Sequence, residues 1–251
     1  LLGTVQTELS RFDDARQSLE AAYAAALEAN MLTQAARAAT SLMSLSTVQG
    51  RWDDAEQWGQ HAQSWLSRAD ANPVLERARL WQERSRLARE RGELEQSEQH
   101  ARRALQLARQ DLSGPLLHSY LSTLGSAHLR RGKYDEARAR YAEALELASD
   151  AYGEGHMMTS HLINNLAAVH YQERDFSTAA ELFGQAYEVE AAVIGPDDPR
   201  LADRLANYGT ALAEAGRYDE AEPRLRRAIE AYERKFGPDH PQIAWISGDL
   251  G

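Results

Sequence analysis

One short segment recurs six times along the chain. It reads Ser10-Arg11-Phe12-Asp13-Asp14-Ala15, Gly50-Arg51-Trp52-Asp53-Asp54-Ala55, Gly92-Glu93-Leu94-Glu95-Gln96-Ser97, Gly132-Lys133-Tyr134-Asp135-Glu136-Ala137, Arg174-Asp175-Phe176-Ser177-Thr178-Ala179 and Gly216-Arg217-Tyr218-Asp219-Glu220-Ala221. Its bulky residue falls at 12, 52, 94, 134, 176 and 218, in steps of 40, 42, 40, 42 and 42 residues. A constant period of this length marks stacked supersecondary units that bury their apolar faces only against neighbours. With only 7 Pro, 16 Gly and no run of β-branched residues, each unit reads as a helical hairpin.

The recurring segment is the turn of that hairpin. Gly suits a left-handed C-cap, and Asp or Ser after the bulky residue suits the N-cap of the next helix. Asp53 with Glu56, and Asp219 with Glu222, have capping-box spacing. The bulky residue reads as a plug that fixes the angle between the helices. Ten residues before it stand Leu2, Leu42, Leu124, Leu166 and Tyr208; three after it stand Ala15, Ala55, Ala137, Ala179 and Ala221. Ten after it stand Ala22, Ala62, Ala104, Ala144, Ala186 and Ala228, small residues that let two helices approach closely.

These residues carry a family resemblance. Trp81, Leu124-Gly125, Ala137, Tyr141 and Ala144 sit where the tetratricopeptide repeat (TPR) has its signature residues. The C-terminal third resembles the 42-residue kinesin-light-chain variety, through Asn164-Asn165-Leu166-Ala167, Tyr218-Asp219-Glu220-Ala221-Glu222 and the linkers Gly195-Pro196-Asp197-Asp198-Pro199 and Gly237-Pro238-Asp239-His240-Pro241. The resemblance implies an all-α, right-handed superhelix of stacked hairpins. The third unit departs most, with Arg84 at the usual Leu, Ser85 at the usual small residue and Ser97 at the usual Ala. A looser hairpin, or packing altered for a partner, is expected there.

First helices are expected near 1–10, 31–49, 73–91, 115–131, 157–174, 199–215 and 241–251, and second helices near 13–29, 53–69, 95–111, 135–151, 177–194 and 219–236. Asn72-Pro73, Gly114-Pro115, Gly153-Glu154-Gly155, Pro196 and Pro238 mark the breaks, and the break near Asn30 is weak. Residues 1–251 read as a single array of about six repeats with truncated half-repeats at both ends, a fragment of a longer protein. Those ends would leave Leu1, Leu2, Trp245, Ile246 and Leu250 without neighbours, which invites self-association.

Composition narrows the function. No Cys is present, so disulfides and thiolate metal sites are excluded. No apolar run approaches the roughly 20 residues of a membrane helix. The net charge of −10 argues against broad nucleic-acid or anionic-membrane binding. Only Lys133 and Lys235 are lysines, a bias read as a GC-rich genome. Phosphate-loop, dinucleotide, nucleophile-elbow and His-Glu-x-x-His signatures are missing. His128 and His170 read as half-buried packing residues, and His156 and His161 as surface or groove residues rather than metal ligands. Tyr152, Tyr171, Tyr187, Trp58 and Trp65 read as packing aromatics.

The first helices should line a concave face. Residues 15, 12, 8 and 5 places before the bulky residue share one helical stripe. The stripe holds Arg37, Thr40, Ser44 and Thr47; Arg79, Gln82, Arg86 and Arg89; Ser119, Ser122, Ser126 and Leu129; His161, Asn164, Ala168 and Tyr171; Asp203, Ala206, Thr210 and Ala213. Adjacent Arg130 extends it. Four Arg against one Asp, in an acidic chain, suit an acidic or C-terminal carboxylate segment, because a guanidinium fork binds two oxygens at once. The resemblance implies that the Asn164 slot touches peptide backbone, flanked by His161 and Tyr171.

The expected function is a non-catalytic protein-interaction scaffold in a cytoplasmic, bacterial signalling or regulatory protein, with no cofactor and no metal. A solvated polar face without ligand, an arm of a kinase or protease whose catalytic domain lies elsewhere, and a helical-repeat RNA binder stand as alternatives.

Overall fold

The computed structural model describes residues 2–69, 73–112, 114–238 and 240–248; of residues 2–11, 115 and 247 only the backbone is described. Leu1, Asn72, Asp239, Leu250 and Gly251, and the side chain of Leu2, lie outside that set. The described residues are helical and contain no strand. They form α1 (Leu2–Glu28), α2 (Leu32–Val48), α3 (Trp52–Arg68), α4 (Val74–Glu90), α5 (Leu94–Asp111), α6 (His118–Arg130), α7 (Tyr134–Tyr152), α8 (Met157–Gln172), α9 (Phe176–Ile194), α10 (Ala202–Glu214), α11 (Tyr218–Phe236) and α12 (Pro241–Gly248). Short 3-10 turns at Gly114–Leu117 and Pro199–Leu201 lead into α6 and α10. The fold is an all-α solenoid of stacked helical hairpins. It divides into two compact units, an N-terminal one ending at Lys133 and a C-terminal one starting at Tyr134.

The turns repeat because the backbone hydrogen bonds repeat. At Gly50 (φ 70°) the Gly50 N–H donates to Thr47 O at 3.1 Å and the Arg51 N–H to Ser46 O at 2.9 Å. This is a Schellman motif, which satisfies the last carbonyls of the preceding helix. The same pair of bonds closes α4 at Gly92, α6 at Gly132 and α10 at Gly216. Arg174 (φ 65°) does the same without glycine, and Asn30 (φ 53°) places a full Schellman turn at the break that the sequence marks only weakly.

Three expectations about the turns fail. The N-cap is the residue before the bulky one, and Arg51, Glu93 and Arg217 make no side-chain capping bond. Asp53 and Asp219 therefore sit in the first helical turn, where they favour the helix dipole, and their capping boxes do not form. Asp175 is the exception, accepting from Thr178 N at 3.3 Å. Nor is the bulky residue enclosed between the helices in every unit: Trp52 is 42% and Tyr218 69% exposed, while Phe12, Leu94, Tyr134 and Phe176 are half-buried. The alanines three and ten residues later are the buried ones; Ala55, Ala62, Ala104, Ala137, Ala144, Ala179, Ala186 and Ala228 are fully enclosed. Finally, the first recurring segment makes no turn, and α1 runs straight through Ser10 and Phe12. Ser10 stands where the other turns carry a residue that reaches the left-handed region, and Ala15 and Ala22 remain exposed on the continuous helix.

In the N-terminal unit, α2 packs on α3 and α4 on α5, and the first helices α2, α4 and α6 adjoin in sequence. Met43, Leu66, Leu80 and Leu87 fill the core, with Tyr23, Trp58 and Trp65 against it. The third hairpin is tight rather than loose. Ser85 Oγ donates to Ser97 O and Ser97 Oγ to Ser85 O, each at 2.8 Å, so two buried hydroxyls replace the small apolar contact. In the C-terminal unit, Phe183, Leu201, Leu205, Leu212 and Leu225 form one core with Ile246. Ile246 is thus fully buried, against the expectation that it lacks neighbours, whereas Trp245 is exposed. Glycine sets the helix spacing here: a Cβ on Gly209 would lie 2.6 Å from Leu225 Cδ2.

Candidate functional site

In the N-terminal unit the predicted stripe gathers on α2, α4 and α6, and α4 is its hub. Arg37 on α2 donates to Glu76 Oε1 at 2.6 Å, and Arg79 approaches the same oxygen at 3.5 Å. Arg86 reaches back to Ser44 Oγ on α2 at 3.4 Å. Gln82 donates forward to Ser119 O and to Thr123 Oγ1 on α6, at 3.1 and 2.9 Å. Arg89 donates to Ser126 Oγ at 3.1 Å and pairs with Glu90. Ser122 is half-buried and Arg130 exposed in the same helix. Between α1, α2 and α4 this face opens into a cavity of about 520 Å³, lined by Arg37, Thr40, Ser44, Arg79 and Gln82.

Glu76 and Glu83, which the stripe omits, also line that cavity. Each stands three residues before an arginine, Arg79 and Arg86, a spacing that places both groups on one helix face and was legible in the sequence. Burial pushes the Glu83 carboxyl above its ordinary pKa, against the hydrogen bond to Ser44 and the charges of Arg86 and Arg89. The hydroxyls expected to face a ligand are partly spent. Thr40 donates to Ala36 O and Thr47 to Met43 O within their own helix, and both are buried. The arginines also serve the fold, since they tie neighbouring hairpins together.

His161, Asn164 and Tyr171 lie on α8 of the C-terminal unit. Arg204 Nη2 stands 3.5 Å from His161 Nδ1, and Asn207 on α10 donates to Asn164 Oδ1 at 3.4 Å. Burial and the Arg204 charge push the His161 pKa down, against the pull of Glu190. Glu190 is buried and accepts from Ser160 and Arg204, both at 2.8 Å. Tyr171, Ala168 and Thr210 line a cavity of about 260 Å³ with Phe183, Asn207 and the exposed Trp245. Asp203 accepts from the Tyr232 hydroxyl and Ala206 is buried, so these two stripe positions belong to packing.

The other histidines and aromatics that the sequence singles out make contacts within the fold. His128 is buried, 3.8 Å from Glu98, and His170 contacts Asp175 at 3.2 Å. His156 is the N-cap of α8, its Nδ1 accepting from Met158 N at 3.1 Å. Tyr152, expected in packing, is largely exposed and stacks on His156. Trp65 donates to Tyr23 Oη at 2.9 Å. Among the described residues no group of three His, Asp or Glu side chains could hold a metal ion, and no helix is long and apolar enough to cross a membrane.

Comparison with known proteins places this geometry. The chain is 26% identical over 127 residues to the human Clustered mitochondria protein homolog, covering 51% of this chain and 10% of that protein. It thus spans about a tenth of that curated relative. Among solved structures it resembles BtubC (BKLC) from P. vanneervenii, with a TM-score of 0.74, 20% identity and 92% of each chain covered. It also resembles the Rap conjugation gene regulator of plasmid pLS20 in complex with the Phr* peptide, with a TM-score of 0.68, 19% identity, and 88% of this chain and 59% of that one covered. The tetratricopeptide repeat model matches residues 116–192, 164–234 and 201–251, more than half of the sequence. Six turns of one hydrogen-bond pattern, the buried alanines at fixed offsets and this match agree: the chain belongs to the tetratricopeptide repeat family.

Proposed function

We propose that the chain is a non-catalytic scaffold, one array within a longer regulatory protein, that holds an acidic peptide or protein segment on the α2–α4–α6 face. The observation that carries this reading is how the ion pairs are layered. Arg37 is 57% exposed while its partner Glu76 is 6% exposed, and Arg79 and Arg86 likewise stand further out than Glu76 and Glu83. An incoming segment meets guanidinium groups whose acids lie beneath them. The buried Glu76 carboxylate orients the Arg37 fork through bonds at 2.6 and 3.1 Å, and an oriented fork loses less freedom when it binds. The Rap regulator, which shares this fold, is in complex with a peptide, in keeping with the same use. On the C-terminal unit, Asn164, Asn207 and Tyr171 would meet peptide backbone and side chains around the smaller cavity.

The test is fluorescence anisotropy with a labelled Asp/Glu-rich peptide and a neutral Ser/Gly-rich control, at low and high salt. The acidic peptide binds, and salt weakens it because exposed charges are screened. Arg79, Arg86 and Arg89 changed together to Gln retain hydrogen-bonding side chains and should lose at least about ten-fold in affinity. Equal binding of both peptides, or no loss in the triple variant, would overturn the reading.

A further inference from the structure

A third cavity, of about 290 Å³, lies among α3, α4 and α5 of the N-terminal unit and is lined by Trp81, Arg84, Arg91, Gln96 and His100. It exists because the third hairpin breaks the repeat. At the position of Arg84 the other hairpins carry Leu42, Leu124, Leu166 and Tyr208, and Leu42 and Leu124 are buried. Arg84 instead lays its guanidinium on the Trp81 ring, 4.9 Å from the centroid, with His100 5.1 Å from the same ring.

The guanidinium is poorly satisfied. Among the described residues its polar contact is a single one, to Gln63 Oε1 at 3.5 Å, and no carboxylate comes within ion-pair distance. Glu56 and Glu93 also line the cavity, but Glu56 faces Arg91 at 3.6 Å. Arg91 is itself loosely held, with Asp53 at 3.8 Å and a hydrogen bond to Trp52 O at 3.1 Å. Burial lowers the pKa of both Arg84 and His100, and the Glu56 charge opposes the shift at each. A half-buried guanidinium carries five donors, and here they make one long contact, so most of its hydrogen-bonding capacity is open to a ligand. The space beside it would hold several waters at ~30 Å³ each.

We propose that this cavity binds a small oxyanion, a carboxylate or phosphate group held by the fork of Arg84 with Arg91 beside it. The cavity differs in place and in residues from the proposed peptide face, so the two readings stand or fall separately. Among the six recurring units, the position ten residues before the bulky residue carries a guanidinium in this hairpin alone.

The experiment titrates the chain with sodium malonate and, separately, with inorganic phosphate, at constant ionic strength set by sodium chloride, while NMR follows the Trp81 indole and the Arg84 side-chain N–H. Wild type shows a saturable shift with one or both probes, and the one that saturates identifies the group. Arg84→Leu restores the side chain of the neighbouring repeats and therefore keeps the packing; it loses at least about ten-fold in apparent affinity. No saturable response to either probe in wild type, or an equal response in Arg84→Leu, overturns the proposal.

Discussion

The two units build the same hairpin with different chemistry. The C-terminal unit closes its hairpins by subtraction: Gly184 lies under Tyr208 and Gly209 under Leu225, and a single apolar core runs from Ala167 to Ile246. The N-terminal unit closes its third hairpin with polar groups. Ser85 and Ser97 exchange hydrogen bonds, and Glu98, whose side chain is 4% exposed, collects Arg102 and Arg131 at 2.6 Å and Lys133 at 2.9 Å. Burial alone would raise the Glu98 pKa, but Lys133, Arg102, His128 and Arg131 outweigh it and hold it at about 2. A repeat therefore needs a given helix spacing rather than a given residue. Where polar groups supply that spacing, they bring charges that a ligand can use.

Glu98→Gln should have the largest effect, lowering the stability of the N-terminal unit by about 2–4 kcal/mol at pH 7, because it leaves several cations facing a neutral amide. The folded carboxyl titrates near 2 against an ordinary 4.5, so its contribution is full above about 4.5 and fades as the pH falls toward 2. Urea denaturation of wild type and variant should show the gap closing over that window; a gap independent of pH would mean that Glu98 is not the anchor. Gly209→Ala tests the other chemistry. Its Cβ would press on the Leu225 side chain, and we expect a loss of about 1–3 kcal/mol, confined to amide exchange in α10 and α11. An unchanged or stabilised variant would show that the spacing is not set by glycine.

The smallest effect belongs to the serine pair. Ser85→Ala and Ser97→Ala should each cost about 1 kcal/mol, and the double variant less than their sum, since Ala on both sides recreates the apolar contact of other hairpins. Strict additivity in a double-mutant cycle would remove the coupling inferred from the reciprocal bonds.

The sequence carried the period, the helical class, the Schellman glycines and the buried alanines, because small residues and left-handed turns are local requirements. It misled on the first segment. Phe12 and the acids after it match the pattern, but a turn also needs a residue that enters the left-handed region, and Ser10 does not. It also misled on N-caps, since a three-residue connection leaves the residue before the bulky one to start the helix. The stripe was legible as a row, and Arg37, Arg79, Arg86 and Arg89 do share one face. Their pairing was not, because Arg37 meets Glu76 across 39 positions of chain.

What the sequence alone determined is thus the rhythm of the fold: backbone handedness at the turns and side-chain volume at fixed offsets act within one hairpin. What only the tertiary structure decided is the state of the charges. Whether an arginine stands over a buried glutamate, as Arg37 does, or lies on an aromatic ring with no carboxylate in ion-pair distance, as Arg84 does, depends on which groups neighbouring hairpins bring within a few ångströms. Electrostatic energy depends on that distance and on burial, and neither is written in the local pattern.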